Sequence, residues 1–341
     1  MSQVVSAHNP SPQDGPHDGP NGSQQIGTQS ANKQSVDDQA SRLRELVSSL
    51  GQPSAEEYAK DRSKLIPPTR RIPIIAIASG KGGVGKTNTS VNLSIALAKH
   101  NRRAMLLDAD LGLANADVLC GLMPKARLES AVGDGASSLE DLAIDAPGGF
   151  RLIPGSVGIG RVGELDDNER RVLLSRLEDL HEYNDVIMID TSAGLGPSVT
   201  AFIDAADACL MVVTPEPTSI ADAYALIKVL VAQQDEANGG RLPNLALIVN
   251  QAVNEKEAHA VHARISGVCD RFLGYQLPMI GYVRRDKKVI KAIKARTPYM
   301  IDSPKCSASR DMGELAASLI DWLGIEGRAS AAPRKRLFGR G

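Results

Sequence analysis

The sequence predicts an α/β domain, doubly wound around a mostly parallel sheet, and three observations carry that reading. Short uninterrupted apolar runs alternate with longer amphipathic stretches from Ile72 to Leu323. Hydrophobic residues make up 42% of the chain but aromatic ones only 3%, so the core must be built from Ala, Val, Ile and Leu. Such a core suits strands covered by helices on both faces. A glycine-rich turn joins the first apolar run to the first helical pattern.

The run "IPIIAIAS" lacks polar alternation, the mark of a strand buried on both faces. A helix over "TNTSVNLSIALAKHN" and a strand over "AMLLDAD" follow. Further strands are expected at "FRLIPG", "DVIMIDTSA", "ACLMVVTPE" and "LALIVNQ". Between them, helical spacing appears in "ERRVLLSRLEDLHEY", "SVTAFIDAAD", "SIADAYALIKVLVAQQDE" and "EKEAHAVHARISGVCDRFL". "SASRDMGELAASLIDWLGI" reads as the closing helix of a body spanning residues 71–325. Residues 1–35 are rich in Pro, Gly, Ser, Gln and Asn and too poor in large apolar side chains to offset the entropy of ordering, so disorder is expected there. Residues 36–51 are expected to form a short amphipathic helix, with Ala40, Leu43, Leu46, Val47 and Leu50 on one face and Ser35 or Asp37 as candidate N-cap. A linker, 52–70, precedes the body, and a basic tail, 326–341, follows it.

A net charge of −1 provides no global field for nucleic acid or membrane, so sequence-specific nucleic-acid binding is not expected. The four cysteines show no metal-ligand spacing and read as inert thiols. Without a long apolar run or a signal pattern, the expected location is cytoplasmic.

"GKGGVGKT" fits the phosphate-binding pattern G-x-x-x-x-G-K-[ST], between strand and helix as that pattern requires. Gly80, Lys81, Gly82, Gly83, Val84, Gly85, Lys86 and Thr87, with Asn88 beside them, are the candidate nucleotide-binding residues. The glycines let backbone N–H groups face phosphate, and the helix start adds partial positive charge. Lys86 is placed to reach the β/γ-phosphates of ATP, and the Thr87 hydroxyl to bind Mg²⁺. Asp108 and Asp110 end one strand and Asp190 another. In a parallel sheet these ends share the crevice of the phosphate loop, where carboxylates hold the metal shell and position water. Gly194 gives the loop after Asp190 room to move.

The loop's second lysine, Lys81, together with "DADLGLAN", resembles the deviant phosphate loop and first switch of the MinD/ParA ATPases, of the SIMIBI class of P-loop NTPases. The resemblance implies slow ATP hydrolysis in an ATP-dependent homodimer, with Lys81 contacting phosphate across a face-to-face interface. It also implies that Asp110 orients water, that Asp108 supports the metal shell and that Asn250 reads adenine.

"KTN", "DLGLANADVLCGL", "TPEPTSIADAYALIKVL", "NEKEAHAVHARI" and "SPKCSASR" look like the FlhG branch of that family, which controls flagellar number and placement. Asp38, Gln39, Ala40, Leu43 and Arg44 match the branch's N-terminal D-Q-A-x-x-L-R element, which implies a GTPase of the FlhF type as partner, with flagellar basal-body components as further ones. Min-type division-site regulators and ParA-type partitioning ATPases are the alternative functions. Two departures stand out: Ser192 where relatives often have Gly, and Arg284 where they usually have Pro. Lys287, Lys288, Lys291 and Lys294 are expected opposite Val289, Ile290 and Ile293, as a solvated face or a docking site. "RKRLFGRG" sets Arg334, Lys335, Arg336 and Arg340 around Leu337 and Phe338, either a disordered basic tail or a membrane-targeting end bringing the ATP-bound form to the inner face of the cell membrane.

Overall fold

A computed structural model describes residues 72–110, 114–131, 136–156, 167–237 and 244–327. The expected N-terminal element, with Asp38, Gln39, Ala40, Leu43 and Arg44, and the C-terminal tail lie outside the described residues.

Eight strands form one sheet in the order β3-β4-β2-β5-β1-β6-β7-β8. They are β1 (Ile74–Ala78), β2 (Ala104–Ala109), β3 (Ile144–Asp145), β4 (Arg151–Ile153), β5 (Val186–Thr191), β6 (Ala208–Val213), β7 (Asn244–Ala252) and β8 (Met279–Arg284). Every pairing is parallel except that of β3 with β4. The helices are α1 (Lys86–Lys99), α2 (Ala116–Leu119), α3 (Leu139–Leu142), α4 (Asp167–Arg176), α5 (Pro197–Asp204), α6 (Pro217–Ala237), α7 (Glu255–Leu273), α8 (Lys287–Lys294), α9 (Tyr299–Asp302) and α10 (Ser307–Leu323).

Helices cover both faces of the sheet. In β1, Ile75 and Ile77 pack into one cluster with Leu93, Leu97 and Leu315, while Ala76 and Ala78 pack into another with Leu226 and Ile227. Burial on both sides explains why β1, β5 and β6 read as continuous apolar runs. Helix α1 has a polar sequence and is nevertheless buried, because its polar groups are satisfied locally. The Ser90 hydroxyl donates to Lys86 O, the Ser94 hydroxyl to Ser90 O and the Asn92 amide to Asn88 O. Asn92 Oδ1 then accepts from the Met300 N–H at 3.0 Å, tying α1 to α9.

Three sequence expectations need correction. The helix expected through "ERRVLLSRLEDLHEY" tightens into a 3₁₀ helix at Leu177–Glu182, where Leu177 and Leu180, three residues apart, are both buried. β8 was not anticipated, since it is an edge strand with Gly281 in its middle and only Val283 buried. On α8 the lysines do not stand opposite all the apolar residues. Ala292 is buried and Val289 packs against the core, but Ile290 and Ile293 are 57% and 39% exposed beside the lysines. Arg284, at the end of β8, is held by Asp311 of α10 through its backbone N–H at 2.8 Å and its guanidinium at 2.5–3.1 Å. Three cysteines are buried, and burial raises the thiols of Cys120 and Cys209 to about 12 and that of Cys269 to about 11.

Candidate nucleotide site

The strand order brings the C-terminal ends of β2, β5, β1, β6 and β7 together at one edge of the sheet. β1 runs out into the glycine loop, whose last residue, Gly85, caps α1 with φ 89°. Gly83 also has a positive φ, 82°, which L side chains rarely adopt. Gly80 is glycine for a different reason. A methyl group there would sit 2.2 Å from Asp222 O, because the backbone of α6 crosses directly against the loop. At Gly82 a methyl group would meet nothing within 4 Å.

Lys86 is buried and points at the end of β5. Its Nζ donates to Asp190 Oδ1 at 3.1 Å and to the carbonyl of Thr191. Ser90 Oγ lies 2.9 Å from the same Oδ1. Asp190 is 0% exposed, yet its Oδ2 has no hydrogen-bond partner among the described residues. A buried, unsatisfied carboxylate oxygen is costly to maintain, and a metal-bound water is the kind of group that would satisfy it.

Asp108 lies opposite Asp190 in the β2–β5 ladder. Its Oδ2 accepts from the N–H groups of Asn115 and Ala116, both at 3.0 Å, and its Oδ1 from Asp110 N at 3.2 Å. Burial, aided by the charge of Asp190, raises its pKa to about 7. Two carboxylates set side by side in a dry site favour a divalent cation between or beside them, so the donor set fits Mg²⁺. Asp110 extends past the strand and accepts from Ser192 Oγ at 3.1 Å.

Asn250, at the end of β7, supports the loop. Its Nδ2 donates to Val84 O at 2.8 Å, and its Oδ1 accepts from the N–H of Gln251 at 2.9 Å. Nδ2 also stands where a side chain at position 85 would be, 2.5 Å from a methyl group built there.

The two loop lysines diverge. While Lys86 points inward, Lys81 Nζ reaches out to Glu216 Oε2 at 3.0 Å and Thr218 Oγ1 at 2.8 Å. Sequence reasoning missed Glu216 and Thr218 as site residues, although both lie in "TPEPTSIADAYALIKVL", and it noted Ser192 only as a departure.

A family model described as an AAA domain matches residues 72–240. The chain is 40% identical over 251 residues to the antiactivator FleN of Pseudomonas aeruginosa, covering 74% of this chain and 87% of that protein. It is 30% identical over 289 residues to the flagellum site-determining protein YlxH of Helicobacter pylori, covering 84% and 92%. The chain belongs to the FlhG branch of the MinD/ParA ATPases. Among solved structures, the cell division ATPase MinD of Pyrococcus furiosus shares the fold, with a TM-score of 0.62 at 23% identity over 74% of this chain and all of that one. MinD in the MinC:MinD cell division protein complex of Aquifex aeolicus matches with a TM-score of 0.58 at 25% identity, over 77% and 99%. As a MinD-like regulatory ATPase, the FlhG-family chain hydrolyses ATP. No helix among its described residues is long and apolar enough to cross a membrane.

Proposed function

We propose that this FlhG-family ATPase is a switch in which ATP joins two copies face to face and hydrolysis releases them, the dimer acting on flagellar number or placement. The contact of Lys81 with Glu216 and Thr218 carries this reading, because it leaves the loop's second lysine with no part in its own phosphate site. In the dimer Lys81 exchanges these partners for the phosphates bound by the other copy.

Within one copy, backbone N–H groups of Gly82 to Lys86 cradle the phosphates, and Lys86 turns from Asp190 to the β/γ-oxygens. Thr87, Asp108 and Asp190 would hold Mg²⁺, which would supply positive charge against the phosphates. Water oriented by Asp110 attacks the γ-phosphorus. The bond to the bridging oxygen breaks, its electron pair leaves with ADP, and the water's proton ends on the released phosphate. Asn250 has one N–H on Val84 O, so its second amide hydrogen is the one that can reach adenine.

The name "flagellum site-determining protein" of one relative supports a flagellar role, and "antiactivator" of another supports a regulatory one. Asp38, Gln39, Ala40, Leu43 and Arg44 then serve as the element that stimulates an FlhF-type GTPase. A pull-down of such a GTPase with the full chain and with residues 1–70 removed tests the partner, and capture by both forms alike would contradict the assignment to this element. Sedimentation of the full chain tests the switch: a doubled mass in ATP but not in ADP is expected, and equal masses would contradict it.

A further inference from the structure

We propose that Ser192 is a positioning residue for hydrolysis, fixing the carboxylate of Asp110 in the orientation from which it addresses water. The proposal rests on Asp110 being the water-orienting acid.

The pairing is built into the sheet. In the β2–β5 ladder Asp108 stands opposite Asp190 and Ala109 opposite Thr191. Asp110 and Ser192 are the residues that directly follow the two strands, and Ser192 Oγ donates to Asp110 Oδ1 at 3.1 Å. Ser192 is itself held between fixed neighbours. On one side, Thr191 Oγ1 lies 3.0 Å from Ile77 O, and the Thr191 carbonyl accepts from Lys86 Nζ. On the other, the Gly194 N–H donates to Ser79 O at 2.9 Å, anchoring the loop to the end of β1. The backbone that carries the hydroxyl is therefore placed by the phosphate-binding frame.

This gives a short physical path from Lys86 through Thr191 and Ser192 to Asp110. A carboxylate that aligns water needs one rotamer and one carboxyl plane, since misplacement of the reacting groups is costly in rate. The Ser192 hydroxyl restrains both by donating to Oδ1. Alanine or glycine at this position would remove this restraint without removing any group that contacts nucleotide. The serine thus adds a donor that a glycine in the same loop cannot supply.

Single-turnover ATP hydrolysis by the full chain, alongside nucleotide affinity, tests the proposal with Ser192→Ala, Ser192→Thr and Asp110→Asn. Ser192→Ala should slow the hydrolytic step roughly tenfold, the scale of one hydrogen bond to a charged group. ATP affinity and the thermal shift given by MgADP should stay at parental values, and Ser192→Thr, which keeps the hydroxyl, should recover most of the rate. Parental hydrolysis by Ser192→Ala while Asp110→Asn is inactive would overturn the positioning role alone. Parental hydrolysis by Asp110→Asn would overturn the role of Asp110 and this proposal with it.

Discussion

Lys81 Nζ lies 3.0 Å from Glu216 Oε2, an ion pair between the glycine loop and the turn that leads from β6 into α6 of the same chain. Lysine and glutamate are 37% and 62% exposed, so solvent screens the pair and it contributes little to folding. Its effect should fall on assembly, because dimerisation must first break it. Glu216→Ala should leave the thermal midpoint near that of the parent. It should tighten ATP-dependent dimerisation by no more than about thirtyfold, since two exposed pairs, each worth up to about 1 kcal/mol, break per dimer. Titration of dimer mass against protein concentration measures this, and weaker dimerisation would show that the pair does not restrain Lys81.

Lys86 and Asp190 form the opposite kind of pair, nearly sealed from solvent. Removing one member leaves a buried charge unmatched, at a cost of about 3 kcal/mol or more. Lys86→Ala should lower nucleotide-free stability by that order in urea unfolding and abolish ATP binding. Lys86→Ala with Asp190→Asn should regain much of the stability and none of the binding.

Two glycines of the loop should differ sharply. Gly80→Ala drives a methyl group into the backbone of α6 at Asp222, so the loop or the helix must shift. A loss of about 1–3 kcal/mol, typical of overpacking, and at least tenfold weaker ATP binding are expected. Gly82→Ala has open space and should unfold at the parental temperature. Parallel thermal melts and nucleotide titrations separate the two.

Asp108 makes the site sensitive to pH. Its pKa is raised from 3.8 to about 7, first by burial and then by Asp190. Between those values the folded, nucleotide-free chain holds a proton that the unfolded chain has released. This group's contribution to stability therefore falls as pH rises from about 4 to about 7. Asp108→Asn should flatten that part of the dependence, read as the difference between the two proteins' urea midpoints at pH 5.5 and pH 8. The parent's Mg²⁺-nucleotide affinity should move the other way, weakening as pH falls below about 7 and Asp108 is protonated.

The legible parts of the structure were those with a local physical signature. β1, β2, β5 and β6 announced themselves because burial on both faces requires uninterrupted apolar residues. The loop at Gly80 to Thr87 was legible because phosphate binding constrains consecutive residues. β8 was not, since an edge strand with one buried residue carries no periodic signal. The partners of Lys81 were also hidden. They lie 135 and 137 residues away, and an exposed acid before a proline and a threonine in the first turn of a helix look like any solvated helix start. The requirement for Gly80 was visible as a motif position, but its cause, the crossing of α6, appears only when the two elements are placed together.

The switch is tested most directly by sedimentation of Asp110→Ala and of Lys81→Ala with Asp110→Ala, each in ATP. Asp110→Ala should bind ATP, hydrolyse it slowly and accumulate as a dimer, and adding Lys81→Ala should return it to monomer with ATP still bound. A double variant that dimerises as well as Asp110→Ala would contradict the crossing of Lys81 to the partner's phosphates.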